Sequence, residues 1–218
     1  MDYFKHIDNG EGPTKLFIGG VHGNEGKTAI KLIKRLNLED LSEGQFYFYN
    51  FDSSPYISTV DKKYYESEMG QKIISLINEY KPNFYTELHC YNIQHYMRLT
   101  SYDRLDTQGV PPLIPCGDYI LISSVSPLIR VKYFTRETIC KTLEIPCLHN
   151  SKKIDFAVKN YDFDIDKSIR RYMDLLRLIT KSTNREDFTI NISKYYPRQV
   201  EMAKKFVKIL WGDDFPPF

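Results

Sequence analysis

His22 and Glu25 are the pair whose types and spacing point most directly to chemistry. They lie in the run Gly19-Gly20-Val21-His22-Gly23-Asn24-Glu25-Gly26. Imidazole nitrogen and carboxylate oxygen are both good zinc ligands, and a catalytic zinc takes three protein ligands and leaves one position open. The glycines allow a tight turn that aims both side chains the same way. A third ligand is expected from the end of another strand, and His89 in Thr86-Glu87-Leu88-His89 supplies it. Glu87, two residues earlier, falls on the same strand face, where a carboxylate can orient the imidazole. His6, His95 and His149 are weaker candidates by position: near the terminus, after a polar stretch, and beyond the last clear strand. Glu144, flanked by Leu143, Ile145 and Pro146, is the candidate base. An acid in apolar surroundings titrates high, which suits proton transfer at neutral pH.

Each of these residues also has an ordinary explanation. Glu25 could serve only the helix dipole, His89 could be a satisfied strand histidine, and Glu144 could pair with Arg130 or Lys141. The constellation carries the metal-site reading.

The elements that must position these residues follow from periodicity. Residues 15–18 read as a strand, and Ala29, Leu32, Ile33 and Leu36 recur at helical spacing behind the glycine-rich turn. The turn therefore lies at the carboxyl end of a strand, where open α/β sheets place their sites. Further strands are expected at 45–51, 83–90, 95–99, 119–124, 131–134 and 141–145. Helices are expected at 67–80 and, briefly, after Thr135. In 83–90, Phe84, Thr86, Leu88 and Cys90 share one face, and Tyr85, Glu87 and His89 share the other. Beyond Asn150, two helices at 164–181 and 197–210 read as a cover over the sheet, and 213–218 as a frayed tail. The expected fold is α/β: a mixed, mostly parallel sheet flanked by helices, with a C-terminal helical cover. One domain is expected over 1–218, with the sheet core and site at about 15–148 and the helical part at 151–218.

Composition bounds the function. The chain has 218 residues, 42% of them hydrophobic and 27% charged, enough for a real core. A net charge of +2 gives no field to attract nucleic acid. Cys90, Cys116, Cys140 and Cys147 contain no C-x-x-C pair, so they read as small core residues rather than a disulfide scaffold or a four-cysteine zinc site. The first residues do not read as a signal peptide, and no apolar run reaches the roughly 18 residues of a membrane span. A cytoplasmic protein is expected, acting on a small molecule or peptide, with no nucleic-acid or membrane partner.

His22-x-x-Glu25 after an apolar strand, His89 ending a strand as Glu-Leu-His, and Thr142-Leu143-Glu144 in a late strand together resemble the zinc carboxypeptidase superfamily. The closest branch is the succinylglutamate desuccinylase and aspartoacylase group, whose metal motif often reads His-Gly-Asn-Glu. The likeness covers roughly 15–148, and the chain also resembles a family of uncharacterised archaeal proteins within that superfamily. The resemblance implies a zinc carboxypeptidase-like fold and Zn2+ held by His22, Glu25 and His89, with Glu144 as base. The implied activity is hydrolysis of a C–N amide bond, as in an N-acyl amino acid amidohydrolase or a carboxypeptidase.

One departure stands out. The branch carries an Asn-Arg pair whose arginine binds the substrate carboxylate, where this chain has Asp61-Lys62-Lys63-Tyr64. Lysine cannot make that bidentate clamp, so Arg98 and Arg130 are the candidates to replace it and to steady the oxyanion. Two alternatives compete. One is a metal-binding module without turnover. The other is a P-loop-like nucleotide site at Gly20 to Thr28, although five residues rather than four separate Gly20 and Gly26, and Glu25 would repel phosphate.

Overall fold

The computed structural model describes residues 3–212; the expected frayed tail at 213–218 lies outside them. Seven strands form one mixed sheet: β1 (Tyr3–Asn9), β2 (Thr14–Gly19), β3 (Gly44–Asn50), β4 (Phe84–Tyr91), β5 (Ile114–Pro115), β6 (Leu121–Ser123) and β7 (Ile139–Pro146). Their order is β1-β3-β2-β4-β7-β6-β5. The central four strands, β3, β2, β4 and β7, run parallel, while β1, β6 and β5 join antiparallel. Parallel pairing is thus confined to the middle of the sheet and makes up three of its six pairings, so the sheet is mixed but not, as expected, mostly parallel. In that middle both faces are covered, and β4 is buried along its whole length.

Helices flank both faces. On one side pack α1 (Gly26–Ile33), α8 (Ile165–Lys181), α9 (Arg185–Tyr195) and α10 (Pro197–Trp211), meeting Phe84, Leu88 and Leu143 of the sheet. On the other lie α2 (Lys62–Glu66), α3 (Glu68–Tyr80) and α6 (Pro127–Tyr133), against Leu16, Tyr85 and Cys140. The remaining helices are α4 (Tyr96–Thr100), α5 (Asp103–Gln108) and α7 (Ser151–Tyr161). The helix expected at 67–80 forms as read: Ser67 caps its start, and Lys81 ends it in a left-handed turn before Pro82.

Several expectations are corrected. Residues 95–99 are a tight turn running into α4 rather than a strand, because the Asn92 side chain accepts from Gln94 N–H and starts helical turns. Residues 131–134 end α6 instead of forming a strand, since Ser126 and Pro127 begin a helix there. The short helix expected directly after Thr135 does not form; a turn leads into β7 at Ile139. Among the described residues, four helices, not two, follow Asn150. The missed α7 buries Ala157 alone and α9 buries Phe188 and Ile192, so neither shows a sustained apolar stripe.

The reading of all four cysteines as core thiols is also corrected. Cys116 and Cys140 are free and buried, but Cys90 and Cys147 form a disulfide with Cα atoms 4.9 Å apart. The register explains it. Tyr91 pairs Pro146, so Cys90 near the end of β4 lies beside the residue that follows β7. No local sequence spacing encodes that.

Candidate functional site

The glycine-rich segment is the strand-to-helix turn between β2 and α1. Gly20 has φ +73°, and a Cβ there would sit 1.9 Å from the Phe51 carbonyl oxygen; one on Gly26 would meet the same atom at 1.8 Å. Only glycine permits this close approach, which folds His22 and Glu25 back over the sheet end. Glu25 occupies the N-cap position of α1 but makes no side-chain cap hydrogen bond. Its carboxylate turns instead toward β4, so the helix-dipole explanation does not account for it.

There it meets His89. Nδ1 of His89 lies 2.8 Å from Glu25 Oε2, and Nδ1 of His22 lies 3.7 Å from Glu25 Oε1. The other His89 nitrogen, Nε2, is 3.1 Å from Glu87 Oε2, and Tyr85 OH donates to Glu87 Oε1 at 2.9 Å. Tyr85, Glu87 and His89 thus share one face, as the alternation predicts. Despite the short distance, Glu25 Oε2 is buried with no aligned hydrogen bond. With Nε2–H donating to Glu87, Nδ1 carries a lone pair, and two acceptors face each other. Either a proton on His89 or a cation resolves that arrangement. Without a cation, the pair polarises itself. Burial opposes charge on both, yet Glu25 and Glu87 hold His89 well above the ordinary imidazole range, while His89 and His22 hold Glu25 below the ordinary carboxyl range.

These donors fit zinc in type: two imidazoles, one carboxylate, and an acceptor behind one imidazole. The trio is looser than a loaded site. Among the described residues, the His/Cys/Asp/Glu group whose ligand atoms all lie within 4.8 Å of one another is Cys90, Cys147 and His149.

Glu144 lies directly across the parallel ladder from His89. It is half-buried and opens on a cavity of about 770 Å³ that His22, Glu25 and His89 also line. Burial, reinforced by the charge of Glu25, pushes its carboxyl up to about 7, against the pull of His89, Arg104 and His22.

Residues 10–212 match the model of a family described as an uncharacterized protein conserved in archaea, DUF2119. The chain belongs to this family. Over 205 residues it is 38% identical to the uncharacterized protein MJ0501 of Methanocaldococcus jannaschii, a match that covers 91% of this chain and 92% of that protein. No solved structure matches the chain. The archaeal side of the resemblance therefore holds at the level of the family.

In this archaeal family member the predicted cations divide. Arg98 is exposed and lines the cavity. Arg130 is not part of the cavity wall: it is buried, and its guanidinium donates to the carbonyls of Thr135, Arg136 and Thr138, holding the turn before β7. Asp61 caps α2 through Lys63 N–H, and neither Lys62 nor Lys63 lines the cavity.

Sequence reading passed over Arg104, which lines the cavity from α5 half-buried and acts electrostatically on Glu144. It sits in a polar stretch with no motif around it, so nothing local marked it. His149, rated weak by position, also reaches the cavity, its Nδ1 3.1 Å from Thr28 Oγ1. That Thr28 oxygen also accepts from Leu148 N–H, so it is occupied within the fold, where a P-loop would need it beside a phosphate-bound ion. Among the described residues, no helix is long and apolar enough to cross a membrane.

Proposed function

We propose that this archaeal family member is a zinc-dependent hydrolase of a C–N amide bond, built on the plan of the zinc carboxypeptidase superfamily. Its substrate on this reading is an N-acyl amino acid or a short peptide, and its compartment the cytoplasm. The observation that supports this most directly is Glu25 Oε2: buried, unaligned with any donor, and 2.8 Å from a His89 nitrogen whose ring partner is already taken by Glu87.

His22, Glu25 and His89 would hold the ion. Bound there, zinc supplies a water whose pKa falls toward about 7 and a positive charge that polarises the substrate carbonyl. The chain's own groups do the rest. Glu87, steadied by Tyr85, fixes the His89 ring and its tautomer. Glu144, with its raised affinity for a proton, takes one from the attacking water and returns it to the leaving amine. Arg104 and Arg98 form the cationic side of the cavity, suited to a substrate carboxylate or to the charge that develops on the carbonyl oxygen. In this role Arg104 replaces Arg130, whose donors are engaged by backbone carbonyls.

The test is metal content by inductively coupled plasma mass spectrometry on the purified protein and its His22→Ala variant. Stoichiometric zinc that is lost in the variant supports the site and justifies a screen of N-acyl amino acids and peptides. No metal in either protein after incubation with zinc rejects the hydrolase. Zinc without turnover on any substrate in the screen favours the non-catalytic module.

A further inference from the structure

The same cavity carries a second set of metal-ligating side chains that the hydrolase reading does not use. The sulfurs of Cys90 and Cys147 and a ring nitrogen of His149 lie within 4.8 Å of one another, and all three residues line the cavity. We propose that this trio is a thiol–imidazole site for zinc or a similarly borderline-soft divalent ion, which forms when the Cys90–Cys147 disulfide is reduced. Two thiolates and one imidazole are a common zinc donor set, and three protein ligands leave a fourth position facing the cavity.

The geometry does not depend on the disulfide, because the segment after β7 is pinned independently. Cys147 N–H donates to the Tyr91 carbonyl at 2.9 Å, and Leu148 N–H donates to Thr28 Oγ1 at 3.0 Å. Lys31 Nζ donates to the Leu148 carbonyl at 2.7 Å. Cys90 is fixed in the β4–β7 ladder. Breaking the S–S bond therefore leaves the backbone of Cys90, Cys147 and His149 in place, while rotation of the two cysteine side chains parts the sulfurs to the wider spacing of two thiolates on one ion.

His149 is also prepared as a ligand. Thr28 Oγ1 engages its Nδ1, leaving Nε2 available. Lys153, Lys27 and Lys31 bring positive charge near the ring. Those lysines would repel a bare cation, but two thiolates cancel the two charges of the ion.

The exchange balances. A cellular dithiol gives two electrons and two protons to the S–S bond, which opens to two thiols as the dithiol closes its own disulfide. Binding the divalent ion then releases the two thiol protons to solvent.

The full chain is reduced with a phosphine, freed of reductant without air, and titrated with Co2+. Thiolate coordination gives an intense near-ultraviolet charge-transfer band. The ligands His22, Glu25 and His89 contain no sulfur and cannot produce it, so the result stands apart from the hydrolase reading. The band is expected in the reduced protein and in reduced His22→Ala. It should be absent from the oxidised protein, lost in Cys147→Ser, and formed only at higher Co2+ concentration in His149→Ala. A reduced wild type without the band overturns the proposal, as does a band that survives Cys147→Ser or is indifferent to His149→Ala. Should Cys147→Ser fail to fold, the oxidised and reduced wild type decide the matter alone.

Discussion

Glu87 determines which nitrogen of His89 faces the glycine-rich turn. Its Oε2 lies 3.1 Å from Nε2, which leaves Nδ1 directed at Glu25 Oε2, 2.8 Å away. A carboxylate behind a ligating imidazole fixes the ring and raises its basicity, and removing such a partner weakens metal binding roughly 10- to 100-fold. Glu87→Gln should therefore weaken zinc binding by about that factor, measured by competition with a chromogenic chelator. His89→Ala should lose the metal with the circular dichroism spectrum intact. Native affinity in both variants would remove this face of β4 from the site.

Glu144 faces His89 across the β4–β7 ladder but belongs to no ligand pair. Glu144→Gln keeps the shape and deletes the proton acceptor. Zinc content should remain at the wild-type level while turnover on the best substrate of the screen falls about 10²- to 10⁴-fold. Wild-type turnover in this variant contradicts the assigned base; loss of zinc would make Glu144 a ligand instead.

Much of this site was legible because two local patterns carry it. The glycines around His22 and Glu25 announce a strand-to-helix turn, and the alternation of Tyr85, Glu87 and His89 announces a strand face. What stayed hidden was set by strand register and loop packing. Nothing near Cys90 signals Cys147, 57 residues away, until β4 and β7 are paired. Arg104 and Arg130 look alike as isolated cations, yet one lines the cavity and the other is enclosed by three backbone carbonyls. The helices that were missed, α7 and α9, bury too few side chains to impose a period on their sequence.

The disulfide makes a count that is simple to check. Burial pushes the thiols of Cys116 and Cys140 up to about 12, so neither is a thiolate at pH 8 and neither is reactive in the fold. Oxidised native protein should show no thiol to Ellman's reagent. The same protein in denaturant should show two, and denatured, reduced protein should show four. Four thiols in denaturant before reduction would mean the bridge had not formed.

Alkaline pH should destabilise the protein steeply. Burial, the leading cause in each case, raises the phenols of Tyr64, Tyr65, Tyr85, Tyr91 and Tyr172 as well as the two free thiols. These groups titrate near 10.0 and 9.0 when unfolded. Above about pH 9 the unfolded chain therefore releases protons that the fold retains, and stability present at lower pH is lost. Lys15 and Lys141, which burial lowers from 10.5 to about 7, give the opposite slope between those values. Five phenols and two thiols outnumber them at the alkaline end. Urea midpoints should rise from pH 7, turn near pH 9, and then fall, with the phenolate absorbance of these five tyrosines growing only as the chain unfolds. Reversible ionisation of these tyrosines within the folded protein would contradict their burial.

Lys15 is the clearest structural lysine in the fold. It is fully buried on β2, with Nζ between the rings of Phe46 and Phe84 at 5.2 and 4.5 Å. It donates to the carbonyls of Ile179 at 3.1 Å and Thr180 at 2.7 Å, to that of Ser182, and to Ser42 Oγ at 3.1 Å. The last carbonyls of a helix have no partner within it, and the Lys15 amine supplies donors to them. One side chain thus fastens the end of α8 to the centre of the sheet. Lys15→Met retains most of the apolar stem but leaves several buried acceptors unpaired, at about 1–3 kcal/mol for each one that water cannot reach. We expect the variant to lose at least about 2 kcal/mol of unfolding free energy in urea. Hydrogen exchange should rise first at the C-terminal end of α8, while zinc content per folded chain stays unchanged. A loss below about 0.5 kcal/mol would show that solvent satisfies those carbonyls and that α8 is held by its apolar face alone.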